Sequence, residues 1–226
     1  MTFGSTFGRT FSPTFQSKSQ APAAAGGGWW DLNGTITSCV AAYQPKGAAS
    51  YAASKVNLAN SGTYDAGNGT NYPTWDDTNG WKFLASSSQY LTTGITPTSS
   101  WSAILRISDM TTKLDMWAFG NYASSGWGIQ PQNGYQTIYY NGSARSIPRN
   151  VTSGVFALAG AQGYYNGSAD GTATTGNAAP NAAIFIGDVS GEYRRYLTGY
   201  VQAFAIYNAT LTSTQIGNLT TAMNAL

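Results

Sequence analysis

Residues 199–226 constrain the fold more than any other part of the chain. Positions 200–207 read Y-V-Q-A-F-A-I-Y, a run of aromatic, β-branched and small residues with one strongly polar member, Gln202. Neither alternate set of side chains is polar, so the run suits a strand covered on both faces. Asn208 and Ala209 break it. Thr212, with Gln215 three positions later, then forms a capping-box pattern. In that pattern the hydroxyl and the amide each satisfy an orphan group at the start of a helix. Leu211, Ile216, Leu219 and Met223 follow at spacings that one side of a short helix can carry. The chain therefore ends as a buried strand closed by a small helix.

The rest of the sequence speaks for more strands. Segments 101–107, 115–119, 127–130, 135–140, 155–159 and 183–187 each carry a β-forming run. Two copies of Tyr-Tyr-Asn-Gly-Ser stand at 139–143 and 164–168. Asn-Gly between β-formers is a strong hairpin signal, because both central residues of a type I′ turn need positive φ. The two copies are expected to form two hairpins of one sheet. Short strands at this density, with one terminal helix, predict a sandwich of two antiparallel sheets.

Specific motifs sharpen this. The last strand has the form Gly-x-Val-x-x-x-x-Ile-Tyr-Asn before a Leu-Thr helix. Upstream lie Ala41-Ala42-Tyr43-Gln44-Pro45-Lys46-Gly47, Trp75, Gly80-Trp81-Lys82-Phe83 and Gln89-Tyr90-Leu91-Thr92-Thr93-Gly94. On these residues the chain resembles the laminin-G-like, or concanavalin A-like, jelly-roll family from about residue 41 to the end. The resemblance implies an all-β fold: a two-sheet antiparallel jelly-roll sandwich (concanavalin A-like) with a short C-terminal helix and an extended N-terminal arm. It also implies that Trp81, Phe83, Tyr90 and Leu91 pack inside.

The amino terminus is of a different kind. Residues 2–17 repeat a Thr-Phe pair every four positions, four times. In an extended chain Phe3, Phe7, Phe11 and Phe15 would fall on one side, roughly 13 Å apart. Gly4, Gly8 and Pro13 argue against a helix. Since ordinary tails are poor in aromatics, residues 1–16 read as a docking arm whose rings enter pockets on a partner. Residues 17–28 (S-K-S-Q-A-P-A-A-A-G-G-G) read as a linker. The domain would then span 29–226, with Trp29 and Trp30 facing opposite ways at its start.

Charge and chemistry exclude several functions. Only 9% of the residues are charged and the net charge is +2, too little to drive nucleic-acid binding by phosphate neutralisation. No run is long and apolar enough for membrane insertion. The single cysteine, Cys39, rules out an internal disulfide framework. No histidine is present, which removes the usual triads and zinc sites. Some sandwiches of the resembled fold are glycosidases with a Glu-x-Asp-x-x-Glu strand. Here Glu192 is the one glutamate, and the expectation is that the chain is not an enzyme. Many laminin-G-like domains bind calcium through loop oxygens. Asp188 and Glu192 are the first candidates for such a metal site, and no other cofactor is implied.

Two functions fit. The first is a structural virion surface protein of a tailed bacteriophage, made in the host cytoplasm. The Phe arm would anchor it to a capsid or tail protein of the same virion, and the jelly roll would serve decoration or adhesion to host surface glycans. The opening repeat resembles tailed-bacteriophage virion proteins, and a homo-oligomer is expected. The alternative is a free or cell-surface glycan-binding, lectin-like module. Sugars stack on aromatic faces flanked by polar groups. Trp75, Trp127, Tyr135 and Tyr193 are the candidates.

Overall fold

The computed structural model describes residues 1, 27–111, 114–122, 126–132, 134–173, 182–191 and 195–226. Phe3, Phe7, Phe11 and Phe15 lie outside these residues, as does most of the linker. In chain order the elements are β1 (Cys39–Tyr43), the one-turn helix α1 (Tyr51–Ser54), β2 (Gly67–Asn68), β3 (Thr74–Asp76), β4 (Gly80–Phe83), β5 (Leu91–Thr92) and β6 (Ser102–Ser108). There follow β7 (Phe119–Tyr122), β8 (Gly126–Gln132), β9 (Tyr135–Asn141), β10 (Ser143–Arg149), β11 (Gly154–Ala159) and β12 (Gln162–Tyr165). The chain closes with β13 (Ser168–Thr172), β14 (Phe185–Ile186), β15 (Ser190–Gly191), β16 (Gly199–Tyr207) and α2 (Ser213–Asn224).

These strands make two sheets stacked as a sandwich. The first runs β13-β12-β11-β6-β16-β4-β3, with β1 also on β16. The second runs β10-β9-β8-β7-β14-β5-β2, with β15 beside β7. Pairing is antiparallel except between β15 and β7. Trp81, Phe83, Leu91, Leu105, Phe119, Trp127, Ile129, Tyr139, Phe156 and Phe204 fill the space between the sheets. Strand β16 is covered on both faces, as its composition requires. Phe204 and Ile206 enter this interior, while Ala203, Ala205 and Tyr207 face the opposite way. The small alanines let α2 lie close on the outer face of the first sheet through Ile216, Leu219 and Met223.

Helix α2 begins with the expected capping box. The Gln215 N–H donates to Thr212 Oγ1 at 3.2 Å, and the Thr212 N–H donates to Gln215 Oε1 at 2.9 Å. At its other end Arg106, from β6, donates to the Met223 carbonyl at 2.7 Å, a cation where the helix dipole is negative. Thr212→Ala should cost about 1 kcal/mol. Amide exchange in the first turn of α2 would accelerate, and an unchanged urea midpoint would count against a stabilising role for the cap.

Several expectations need correction. The Tyr-Tyr-Asn-Gly-Ser copies do not share a sheet: one joins β9 to β10 in the second, the other β12 to β13 in the first. Only the latter has positive φ at both central residues, Asn166 at 48° and Gly167 at 81°. In the former, Gly142 alone turns. Residues 115–118 are not strand. Asp115 has φ 55°, and the Trp117 N–H is taken by the Arg195 carbonyl at 2.9 Å. Strand β10, the second arm of the hairpin at 139–143, is rich in Ser, Ala, Arg and Pro; as an edge strand it tolerates Pro148. Tyr90 is buried, but it stacks on Phe185 at 4.7 Å and is not among the residues of the central core cluster.

A polar lock closes one edge of the sandwich. The Tyr139 hydroxyl, from β9, donates to Asp170 Oδ2 of β13 at 2.6 Å and lies 3.1 Å from the Tyr164 carbonyl. The other Asp170 oxygen pairs with Arg149 of β10. The Arg149 guanidinium also lies over the Tyr165 ring, 3.9 Å from its centroid. Burial and the neighbouring carboxylate push the Tyr139 phenol well above its ordinary pKa, so it stays a neutral donor.

Candidate functional site

The outer face of the second sheet carries an aromatic cleft, and strand alternation explains how it arises. Phe119, Ile129, Trp127 and Tyr139 point inward, so their neighbours Gly120, Gly128, Gln130 and Tyr140 point out. Gly120 stands directly opposite Gly128 on adjacent strands, and Gly128 opposite Tyr140. Two glycines side by side leave a bare patch of backbone. The Trp117 ring lies over this patch, where a Cβ on Gly120 would come within 2.6 Å of it.

Trp117 is then framed by tyrosines. Tyr140 stacks on it with centroids 4.7 Å apart and planes 27° from parallel, and Tyr122 meets it edge-on at 6.1 Å. Tyr122 also meets Tyr140 edge-on at 6.0 Å. With Arg195 these three rings line a small surface cleft of about 30 Å³. Tyr122 is 38% exposed and supplies the open aromatic surface, whereas Trp117 is almost fully buried beneath it. Burial, and then Tyr122, raise the Tyr140 phenol pKa, so that ring stays a neutral phenol.

Next to the cleft, and below the surface, a row of amides runs along β8 and β9. Gln130 Oε1 accepts from Gln132 Nε2 at 3.0 Å and lies 3.3 Å from the Tyr140 hydroxyl. Gln136 Nε2 donates onward to Gln132 Oε1 at 3.4 Å. Gln130 is wholly buried, and its Nε2 has no hydrogen-bond partner. At the rim, Arg195 Nη1 donates to Asp115 Oδ1 at 3.0 Å. The buried Asp188 accepts the Arg195 main-chain N–H at 2.8 Å and so fixes the loop that carries the arginine.

The sequence candidates fall elsewhere. Trp127 is completely buried in the sandwich interior, because its register with Phe119 and Tyr139 turns it inward; it cannot serve as a ligand platform. Trp75 is half-buried on β3 of the other sheet, with its indole N–H donating to the Pro45 carbonyl at 2.8 Å. Tyr135 is 49% exposed, but it starts β9, at the opposite end of that strand from Tyr140. Tyr193 and Glu192 lie outside the described residues. Asp188, the remaining calcium candidate, is engaged with the Arg195 loop, and no group of three His, Cys, Asp or Glu gathers among the described residues. Cys39 is half-buried, with its thiol pKa pushed up to about 12, mainly by burial.

Trp117, Tyr122, Tyr140 and Gln130 were missed. The only local signal was Gly120 and Gly128 inside β-forming runs, a mark of close approach by another group.

No protein-family model matches the sequence, and no curated protein matches it. Solved structures do share the fold. A Trypanosoma rangeli sialidase in complex with sialic acid matches 83% of this chain at 14% identity with a TM-score of 0.58. The chain spans about a third (33%) of that sialidase. Domain 4 of AbnA, a GH43 extracellular arabinanase from Geobacillus stearothermophilus solved in complex with arabinotriose, matches 80% of this chain and is itself covered to 98%. Its identity is 13% and its TM-score 0.53. These likenesses are of fold: two antiparallel sheets in a sandwich. They also correct the expectation that the chain is not an enzyme. Its sandwich is shared with a sialidase and with a domain of an arabinanase, so the lack of histidine and of a Glu-x-Asp-x-x-Glu strand does not exclude action on glycans. No helix among the described residues is long and apolar enough to cross a membrane.

Proposed function

We propose that this chain binds glycans, and that the Trp117–Tyr122–Tyr140 cleft is where it does so. The observation that carries this reading is the framed aromatic stack, open at Tyr122 and lined by Arg195. Sugar rings present C–H faces to aromatic surfaces and hydroxyls to polar groups, and the cleft offers the Tyr122 ring beside Arg195. The near-complete fold match to an arabinanase domain solved with arabinotriose supports the same reading. A glycan array followed by isothermal titration tests it. Reducing-sugar release from the same mixtures reads any cleavage. Tyr122→Ala should weaken binding by about tenfold, in line with an aromatic contact of about 1.5 kcal/mol, and should leave the melting temperature almost unchanged. Equal affinity of this variant would sink the proposed location.

The module is further proposed to be displayed on a bacteriophage virion through residues 1–16. The four-residue Thr-Phe repeat is what favours this. Deleting residues 2–16 should abolish incorporation into particles, read by mass spectrometry of purified virions, while glycan binding stays intact.

A further inference from the structure

We infer that the cleft selects neutral sugars over acidic ones, and that Asp115 sets this preference; the inference rests on the glycan-binding reading above. An arginine at the wall of a sugar site ordinarily favours a carboxylate, because its guanidinium forms paired, charge-assisted bonds with one. Here the Arg195 guanidinium already donates to Asp115 at 3.0 Å. The pair therefore brings no net charge to the mouth of the cleft.

The geometry holds that pair in place. The Arg195 main chain is fixed from both sides, its N–H on Asp188 at 2.8 Å and its carbonyl on the Trp117 N–H at 2.9 Å. Asp115 stands two residues before Trp117 with φ 55°, so the segment that delivers the ring also delivers the carboxylate. Asp115 is largely exposed, and an incoming acid would meet its negative charge before displacing it from Arg195. Charge repulsion between carboxylates at a shared site is strong enough to decide such a competition.

The experiment uses the full chain with two probes, arabinotriose and 3′-sialyllactose, alongside an array of neutral and acidic oligosaccharides. Wild type should prefer neutral ligands by about tenfold. Asp115→Asn keeps the shape and removes the negative charge beside the guanidinium; it should raise affinity for 3′-sialyllactose by about tenfold in a salt-dependent way. Arg195→Gln should produce no such gain, and its melting temperature checks that the loop still folds. Array binding confined to acidic glycans, or an Asp115→Asn variant with the wild-type ratio, overturns the inference and leaves the glycan reading standing. No binding to any member of the array overturns both.

Discussion

Asp170→Asn should lower the stability of the sandwich by about 3–5 kcal/mol, because it strands a largely buried arginine. Asp170, on the first sheet, serves two partners on the second: it accepts from the Tyr139 hydroxyl and pairs with Arg149. Asparagine has the same shape and can still accept from Tyr139, so the variant isolates the loss of charge. Arg149 would then retain only the Tyr165 ring beneath it, and its Nε already lacks a partner. The lock sits where β10 and β13, the edge strands of the two sheets, approach each other. Its loss should therefore open that edge first, with faster amide exchange in β10 and β13. Tyr139→Phe removes one neutral donor and should cost less, about 1–2 kcal/mol. Adding Arg149→Met to Asp170→Asn should recover part of the loss, since a buried ion pair is often replaceable by apolar side chains. Urea unfolding at neutral pH reads all four proteins. A midpoint for Asp170→Asn close to wild type would show that the edge is held by the strands alone.

What the sequence disclosed, and what it hid, follows from how far apart the interacting residues lie. Helix α2 and its cap were legible because Thr212 and Gln215 are three residues apart and make the motif by themselves. Strand β16 was legible because both of its faces are apolar, so no choice of register matters. The Asn166-Gly167 turn was legible for the same local reason. The site was not. Trp117 and Trp127 occur in similar β-forming contexts, yet one lies on the outside of the sheet and the other fills the core. The face that a strand residue adopts is set by pairing register, and a shift of one residue reverses it. Trp117 escapes alternation altogether, since β7 begins only at Phe119 and the ring folds back over Gly120. The Asp170 lock joins residues 21 and 31 positions apart across two sheets, and no local pattern announces it. Asp188 stood out in the sequence as a candidate metal residue, whereas its bond to the main chain of Arg195, seven positions on, has no local pattern to announce it.

The cleft itself depends on two glycines, and this gives the second large expected effect. Gly120→Ala places a methyl 2.6 Å from the Trp117 ring at a residue with φ 156°. The same methyl meets the Trp127 carbonyl at 2.7 Å, so the strand must give as well as the ring, which should lift off the sheet, break its stack with Tyr140 and abolish measurable glycan binding. Trp117 fluorescence and the near-ultraviolet spectrum would change in step. The stability cost should be about 1–3 kcal/mol, the range for inserting a methyl into packed surroundings. Gly128→Ala should be worse. Its new Cβ runs into the Phe119 carbonyl, which is backbone and hydrogen-bonded within the sheet, at φ 147°. Here strand pairing must yield, and loss of the folded state at physiological temperature is the expected outcome. Gly217→Ala, on α2 with open space around its Cα, is the control: it should be neutral or stabilise by up to about 1 kcal/mol. Binding that survives Gly120→Ala with unchanged tryptophan spectra would mean that Trp117 is structural filler and that the sugar site lies elsewhere. The contrast between the two glycines is diagnostic because they face each other across one strand pair. A Cβ at Gly120 meets a ring and one carbonyl, whereas at Gly128 it meets backbone alone and more closely, so the first should cost binding more than folding and the second the reverse.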